Sequence, residues 1–143
     1  MLSIFATYKS MKNVKIFIEQ TSFGYSAFMD DTRLDYSILG EGKTVEEAID
    51  DFNMSYAGMR DYYEQKGKPF EEIRYTFYYD TASFLQEYSK VFSLAGLERI
   101  TGVSQTQLGH YLHGRSKPTK KTISRIQKGV EAFAKNLTAV HFA

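Results

Sequence analysis

From Val14 the chain alternates: Val14, Ile16 and Ile18 fall on one side, Lys15, Phe17 and Glu19 on the other. A period of two marks a half-buried strand. Thr21 and Ser22 supply a turn, and residues 23–29 alternate again, with Tyr25, Ala27 and Met29 on one face. After the polar stretch 30–35, residues 36–39 predict a short third strand, closed by Gly40 and Gly42. Connections this short favour an antiparallel meander. The period then becomes helical. Val45, Ile49, Phe52, Tyr56, Met59 and Tyr63 form one apolar stripe at 3.6-residue spacing. Thr44 with Glu47 three residues on predicts a capping box, and Gly67 and Pro69 end the helix. Residues 73–79 alternate once more, with Ile73, Tyr75, Phe77 and Tyr79 on one face. The order β-β-β-α-β implies one helix packed on one sheet.

Beyond Asp80 the strand pattern stops. Asp80 and Thr81 can cap a new helix, and helical stretches are expected over 82–90, 94–101, 105–113 and 120–137. The expected fold class is α+β: a β-β-β-α-β sheet domain over 13–80, then an all-α helix-turn-helix domain over 81–143. Residues 1–12 read as a frayed leader, with Met11 a candidate alternative start. Met1–Ser10 lacks the basic n-region and cleavage site of a signal peptide. No apolar run approaches the ~20 residues that span a bilayer. A cytoplasmic chain with no membrane association is therefore the expectation.

Composition sharpens this picture in two ways. The 143 residues include no Cys, so a disulfide framework, a thiol nucleophile and Cys-ligated zinc are excluded. Net charge is only +1, but it hides a split: residues 1–80 carry 9 Lys/Arg against 14 Asp/Glu, and residues 81–143 carry 9 against 3. A basic half points to a polyanion and an acidic half to a basic protein, although two solvated surfaces could differ this way without either partner.

The basic half holds the clearest chemistry. A short helix ends at Gly102, which can take the left-handed conformation of a C-cap. Val103 can pin the turn, and Ser104 can cap a second helix. On that helix Leu108, Tyr111 and Leu112 point inward by spacing, leaving Gln105, Thr106, Gln107, His110 and His113 mostly outward. This arrangement offers a recognition helix to a DNA major groove. Gln can bond adenine bidentately, and Thr can touch a thymine methyl. Gly109 in mid-helix costs ~1 kcal/mol against Ala, which suggests a close helix–helix approach there. Downstream, Arg115, Lys117, Lys120, Lys121, Arg125 and Lys128 form a basic cluster. Thr119 would put Lys120 and Lys121 in a first helical turn, where the dipole disfavours cations and a DNA phosphate would offset that cost. A helical bundle with a solvated basic face would share these charges. The candidate DNA-binding set is Ser104, Gln105, Thr106, Gln107, His110, Arg115, Lys117, Lys120 and Lys121.

Other chemistries fare worse. His110 and His113 have a spacing compatible with zinc, but the only other histidine is His141. Glu19, Asp30, Asp31 and Asp35 lie near strand ends, where a two-metal nuclease would need converging carboxylates. No phosphate-binding loop, nucleophile elbow or dinucleotide fingerprint appears. Neither an enzyme activity nor a metal or cofactor is expected.

Two resemblances follow from these residues. Leu97, the run Gly102-Val103-Ser104-Gln105-Thr106-Gln107-Leu108, then Leu112-His113-Gly114, Lys117-Pro118 and Ile126 resemble the Xre/Cro-like helix-turn-helix family. Glu98 departs from it, standing where that family usually has a small Ala. Gly24-Tyr25-Ser26-Ala27 and Gly40-Glu41-Gly42-Lys43-Thr44-Val45-Glu46-Glu47-Ala48 resemble the HicB antitoxin domain, a β-β-β-α-β fold related to part of RNase H. Here Asp30-Asp31-Thr32 replaces the Pro-Asp and Pro-Gly-Cys often found between the second and third strands. The resemblance implies a protein that blocks HicA, a small basic mRNA-cleaving toxin, and represses its own operon as a homo-oligomer, dimer or higher. Tyr25, Asp30, Asp31, Asp35 and the polar face of the helix are then the candidate toxin surface. The alternative is a one-component regulator whose sheet domain binds a small ligand or dimerises.

Overall fold

The computed structural model describes residues 11–143. The chain divides into two compact units, residues 1–80 and 81–143, at the point where the charge balance changes sign. Met1–Ser10, most of the expected leader, lies outside the described residues. Lys12 already belongs to the first strand, and its ammonium pairs with Glu71 at 2.5 Å.

Among the described residues the first unit is a mixed sheet with one helix. β1 (Lys12–Thr21), β2 (Gly24–Met29), β3 (Leu39–Gly42) and β4 (Ile73–Tyr79) lie in the order β3-β2-β1-β4. β1, β2 and β3 form the expected antiparallel meander. β4 returns beside β1 in parallel, Ile16 opposite Phe77. A parallel neighbour requires a crossover, and α1 (Val45–Gln65) supplies it between β3 and β4.

Alternation decides which face α1 covers. Val14, Ile16 and Ile18 of β1, Tyr25, Ala27 and Met29 of β2, and Ile73 of β4 are buried with Ala48, Phe52, Tyr56 and Tyr63 of α1. The contact is mostly aromatic: Phe52 meets Tyr75 and Phe77 edge-on at 5.3 and 5.5 Å, and Phe70 stacks on Tyr36 at 4.8 Å. Burial raises the ionisation of the Tyr36 hydroxyl well above the ordinary phenol range, helped by neighbouring Tyr56 and Glu71. That hydroxyl donates to the Glu71 carbonyl at 2.6 Å.

Two local expectations are corrected here. The third strand is Leu39–Gly42 rather than 36–39, so Gly40 and Gly42 are strand residues and not its terminators. They face α1, and a Cβ on Gly40 would stand 2.3 Å from the Phe52 nitrogen. Glycine is required because helix backbone lies against strand backbone. The capping box is also displaced. Thr44 Oγ1 accepts from the Glu47 N–H at 3.1 Å, but the Glu47 carboxylate accepts from Lys43 N–H at 2.7 Å, one residue before the cap.

The second unit holds α2 (Thr81–Tyr88), α3 (Leu94–Thr101), α4 (Gln105–Leu112) and α5 (Lys120–Thr138). Its core is Leu85, Leu97, Val103, Leu108, Tyr111 and Ile126. Gly109 does not mark a close approach, since an added Cβ would meet only Leu94 Cδ1 at an ordinary 3.8 Å. The crowded glycine is Gly129 of α5, where a Cβ would lie 2.3 Å from the Ile100 carbonyl oxygen.

Candidate nucleic-acid interface

The turn between α3 and α4 is held at every joint. Ser93 Oγ accepts from Gly96 N–H at 3.0 Å and starts α3. Gly102 ends it with φ +72° and donates its N–H to the Glu98 carbonyl at 2.8 Å. Only glycine takes that conformation without strain. Thr101 is buried; its hydroxyl donates to the Leu97 carbonyl at 2.7 Å and accepts from Val103 N–H at 3.1 Å. Val103 is thereby driven into the core, as the sequence suggested. Ser104 Oγ then accepts from Gln107 N–H at 3.2 Å, capping α4.

The expected recognition face is open. Ser104, Gln105, Thr106, Gln107 and His110 are all exposed, while Leu108 and Tyr111 are buried beneath them. The two glutamines differ in freedom. The Gln107 amide donates to the Tyr111 hydroxyl at 2.9 Å, whereas Gln105 is fixed through its backbone. Its N–H donates to Glu98 Oε1 at 3.3 Å. Sequence reasoning missed both partners. The i, i+4 spacing of Gln107 and Tyr111 was the available signal for the first. Nothing local pointed to the second; Glu98 adds a second acceptor to the start of α4.

The exit from α4 is a Schellman motif. Arg115 N–H bonds the His110 carbonyl at 2.8 Å, Gly114 N–H bonds the Tyr111 carbonyl at 3.1 Å, and Gly114 has φ +70°. Arg115 and Lys117 follow, both exposed. Thr119 then caps α5, accepting from Thr122 N–H at 3.2 Å. Lys120 and Lys121 do occupy the first turn, with no acidic residue beside them there. Their charges oppose the positive end of the helix dipole, which costs a few tenths of a kcal/mol each. Arg125 differs from the rest of the basic cluster. Its guanidinium donates to the Gly102 carbonyl at 2.5 Å and ties α5 to the turn.

The acids of the first unit do not assemble comparably. Tyr25 is only 4% exposed on the helix-covered face, so it is a core residue and not a docking surface. Asp31 is committed to Arg33, which binds it through both its side chain and its backbone N–H. Those hydrogen bonds hold its carboxyl down to about 2. Asp35 is exposed beside the Tyr63 hydroxyl; burial and this carboxylate together raise the Tyr63 ionisation. Asp30 is exposed. Among the described residues no three His, Asp or Glu side chains converge to hold a metal ion. No described helix is long and apolar enough to cross a membrane. No protein-family model, curated protein or solved structure matches the chain.

Proposed function

We propose that this chain is a DNA-binding antitoxin that represses its own operon. The observation that carries the DNA reading is the first turn of α4: Gln105, Thr106 and Gln107 stand exposed beyond a turn fixed by Thr101, Gly102, Val103 and Ser104. In the groove, Gln105 bonds an adenine edge and Thr106 packs against a base or bonds it. Arg115, Lys117, Lys120 and Lys121 neutralise phosphates, releasing counterions and making affinity fall with salt. Phosphates at the α5 N-terminus also relieve the dipole cost of the two lysines. Two copies would read half-sites about one DNA turn apart.

The toxin arm rests on the HicB-like motifs and on the acidic balance of residues 1–80. With Tyr25 in the core and Asp31 paired, Asp30, Asp35 and the exposed acids of α1 are its charged surface. Charge would speed encounter with a basic toxin more than it would set affinity.

Two measurements test this. Fluorescence anisotropy with DNA from upstream of the coding sequence should show tighter binding than to scrambled DNA, with salt-dependent affinity. Equal binding to both sequences overturns the repressor reading. Co-expression with the adjacent short, basic reading frame should rescue growth arrest and yield a stable complex. A neighbour that neither binds nor harms the cell overturns the antitoxin reading.

A further inference from the structure

α1 covers one face of the sheet, and the strand register specifies what lies on the other. Leu39 is opposite Phe28, Phe28 opposite Phe17, and Phe17 opposite Tyr78. These four side chains therefore form a single row across all four strands, on the face away from α1. Leu39 is 52% exposed and Tyr78 44% exposed, while Phe17 and Phe28 are half-buried with ring centroids 5.9 Å apart. A row of this kind on a soluble domain is unusual unless something covers it.

The charges beside the row are arranged by sign. Two residues from Phe17 in one direction along β1 is Lys15, whose ammonium sits 5.2 Å from the Tyr78 ring centroid. Two residues in the other direction is Glu19, with Glu41 on the same side of the row, one strand beyond its neighbour Ser26. Lys15, Glu19 and Glu41 are all exposed. One border of the row is thus acidic, while the other carries Lys15 with the exposed Asp30 beside it, one position past the Ile16–Met29 pair.

We infer that this face is a self-complementary surface on which a second copy of the chain docks about a two-fold axis lying along the Leu39–Phe28–Phe17–Tyr78 row. Rotation about that axis returns each strand to its own line with its direction reversed. Phe17 meets Phe17 of the second copy. Lys15 lands over Glu19 of the second copy, and Glu19 over its Lys15. A two-fold along the strands would instead lay the Glu19–Glu41 border of one copy on the same border of the other, so the charges select the first axis. The result is an isologous sheet-on-sheet contact, with aromatic side chains filling the ~10 Å gap between packed sheets.

Size sets its strength. Four strands ~4.8 Å apart, paired over about six residues, offer a face of roughly 20 by 20 Å. Two copies bury on the order of 800 Å², below the ~1,200 Å² of a stable standard interface. The association is therefore reversible and concentration-dependent, not obligate.

Sedimentation velocity of the full chain over a concentration series tests the surface. Within one copy, Lys15 and Glu19 are four residues apart on an extended strand, ~13 Å, too far to pair with each other. Exchanging them restores both contacts between copies and, within each copy, gives up only the Lys15 contact with the Tyr78 ring. Lys15→Glu and Glu19→Lys singly should each weaken self-association about tenfold, because each converts two attractive pairs into repulsive ones. The double exchange should return it to near the wild-type value. Phe17→Asp should abolish it, with far-UV circular dichroism confirming the fold. A wild-type chain that stays monomeric throughout overturns the inference. So do single variants that associate like wild type, which would locate self-association elsewhere, and a double exchange no better than the singles. Lys15→Glu strengthening capture of a basic toxin without affecting self-association would assign the face to that partner instead.

Discussion

Replacing Gly109 and Gly129 by alanine should have opposite effects, although both glycines sit inside helices. Each exchange gains about 0.8–1 kcal/mol of helix propensity. At Gly109 nothing opposes that gain, because the new methyl meets only Leu94 Cδ1 at 3.8 Å. Gly109→Ala should stabilise the second unit by about 0.5–1 kcal/mol. At Gly129 the methyl would stand 2.3 Å from the Ile100 oxygen and 2.8 Å from Thr101 Cα. Both are backbone atoms at the end of α3, and neither can rotate away. Restoring ordinary contact means separating α5 from α3 by about 1 Å, and forced overpacking of this kind costs about 1–3 kcal/mol. Set against the propensity gain, Gly129→Ala should be neutral to about 2 kcal/mol destabilising, and should lie about 1–3 kcal/mol below Gly109→Ala. Because the chain has two units, one bulk melting curve would mix their transitions. Amide hydrogen exchange at Leu97, Leu108 and Ile126, buried core positions of the second unit, reads that unit alone. Equal stability of the two variants, or a loss at Gly109 as large as at Gly129, would refute the assigned helix contact.

Three further outcomes follow from local geometry. Gly40→Ala should destabilise the first unit by about 1–3 kcal/mol, measured by exchange at Ile16 and Phe52, because its Cβ would meet α1 backbone. The Asp31 carboxyl, held at about 2 by Arg33 against an ordinary 3.8, supplies stability that is fully present above about pH 4 and lost as pH falls through about 2. NMR titration should show its midpoint rising toward the ordinary carboxylate value in Arg33→Gln, and an unchanged midpoint would remove Arg33 as the cause. Tyr111→Phe removes the acceptor of the Gln107 amide; it should cost no more than ~1 kcal/mol of stability but alter base preference at one operator position in a binding-site selection.

The periodicity located the described helices and three of the four strands, the third being displaced to Leu39–Gly42, and the joints at Gly102, Ser104 and Thr119 were readable because caps are local chemistry. What the sequence did not disclose depends on distant chain. Gly40 and Gly42 read as terminators because turns and close backbone contacts both call for glycine. Alternation in β4 is the same whether its neighbour runs parallel or antiparallel. A glycine in mid-helix signals crowding, yet only the packed helices show that Gly129, not Gly109, is crowded. Tyr25 was different: its shared face with Ala27 and Met29 already placed it with the core, and acidity nearby was no reason to bring it to the surface. Glu98 illustrates a substitution whose role appears only when the next helix is in place to receive its carboxylate.

The central claim is that Gln105 reads sequence while Lys120 and Lys121 hold the backbone. The direct measurement is binding of wild type, Gln105→Ala and Lys120→Ala to operator and scrambled DNA across a salt series. Gln105→Ala should lose about 1–3 kcal/mol of discrimination at one base pair with its salt slope unchanged, and Lys120→Ala should weaken binding to both DNAs and lower the slope by about one. A Gln105→Ala protein that keeps full discrimination, or that loses affinity equally on both DNAs, would contradict the placement of α4 in the groove.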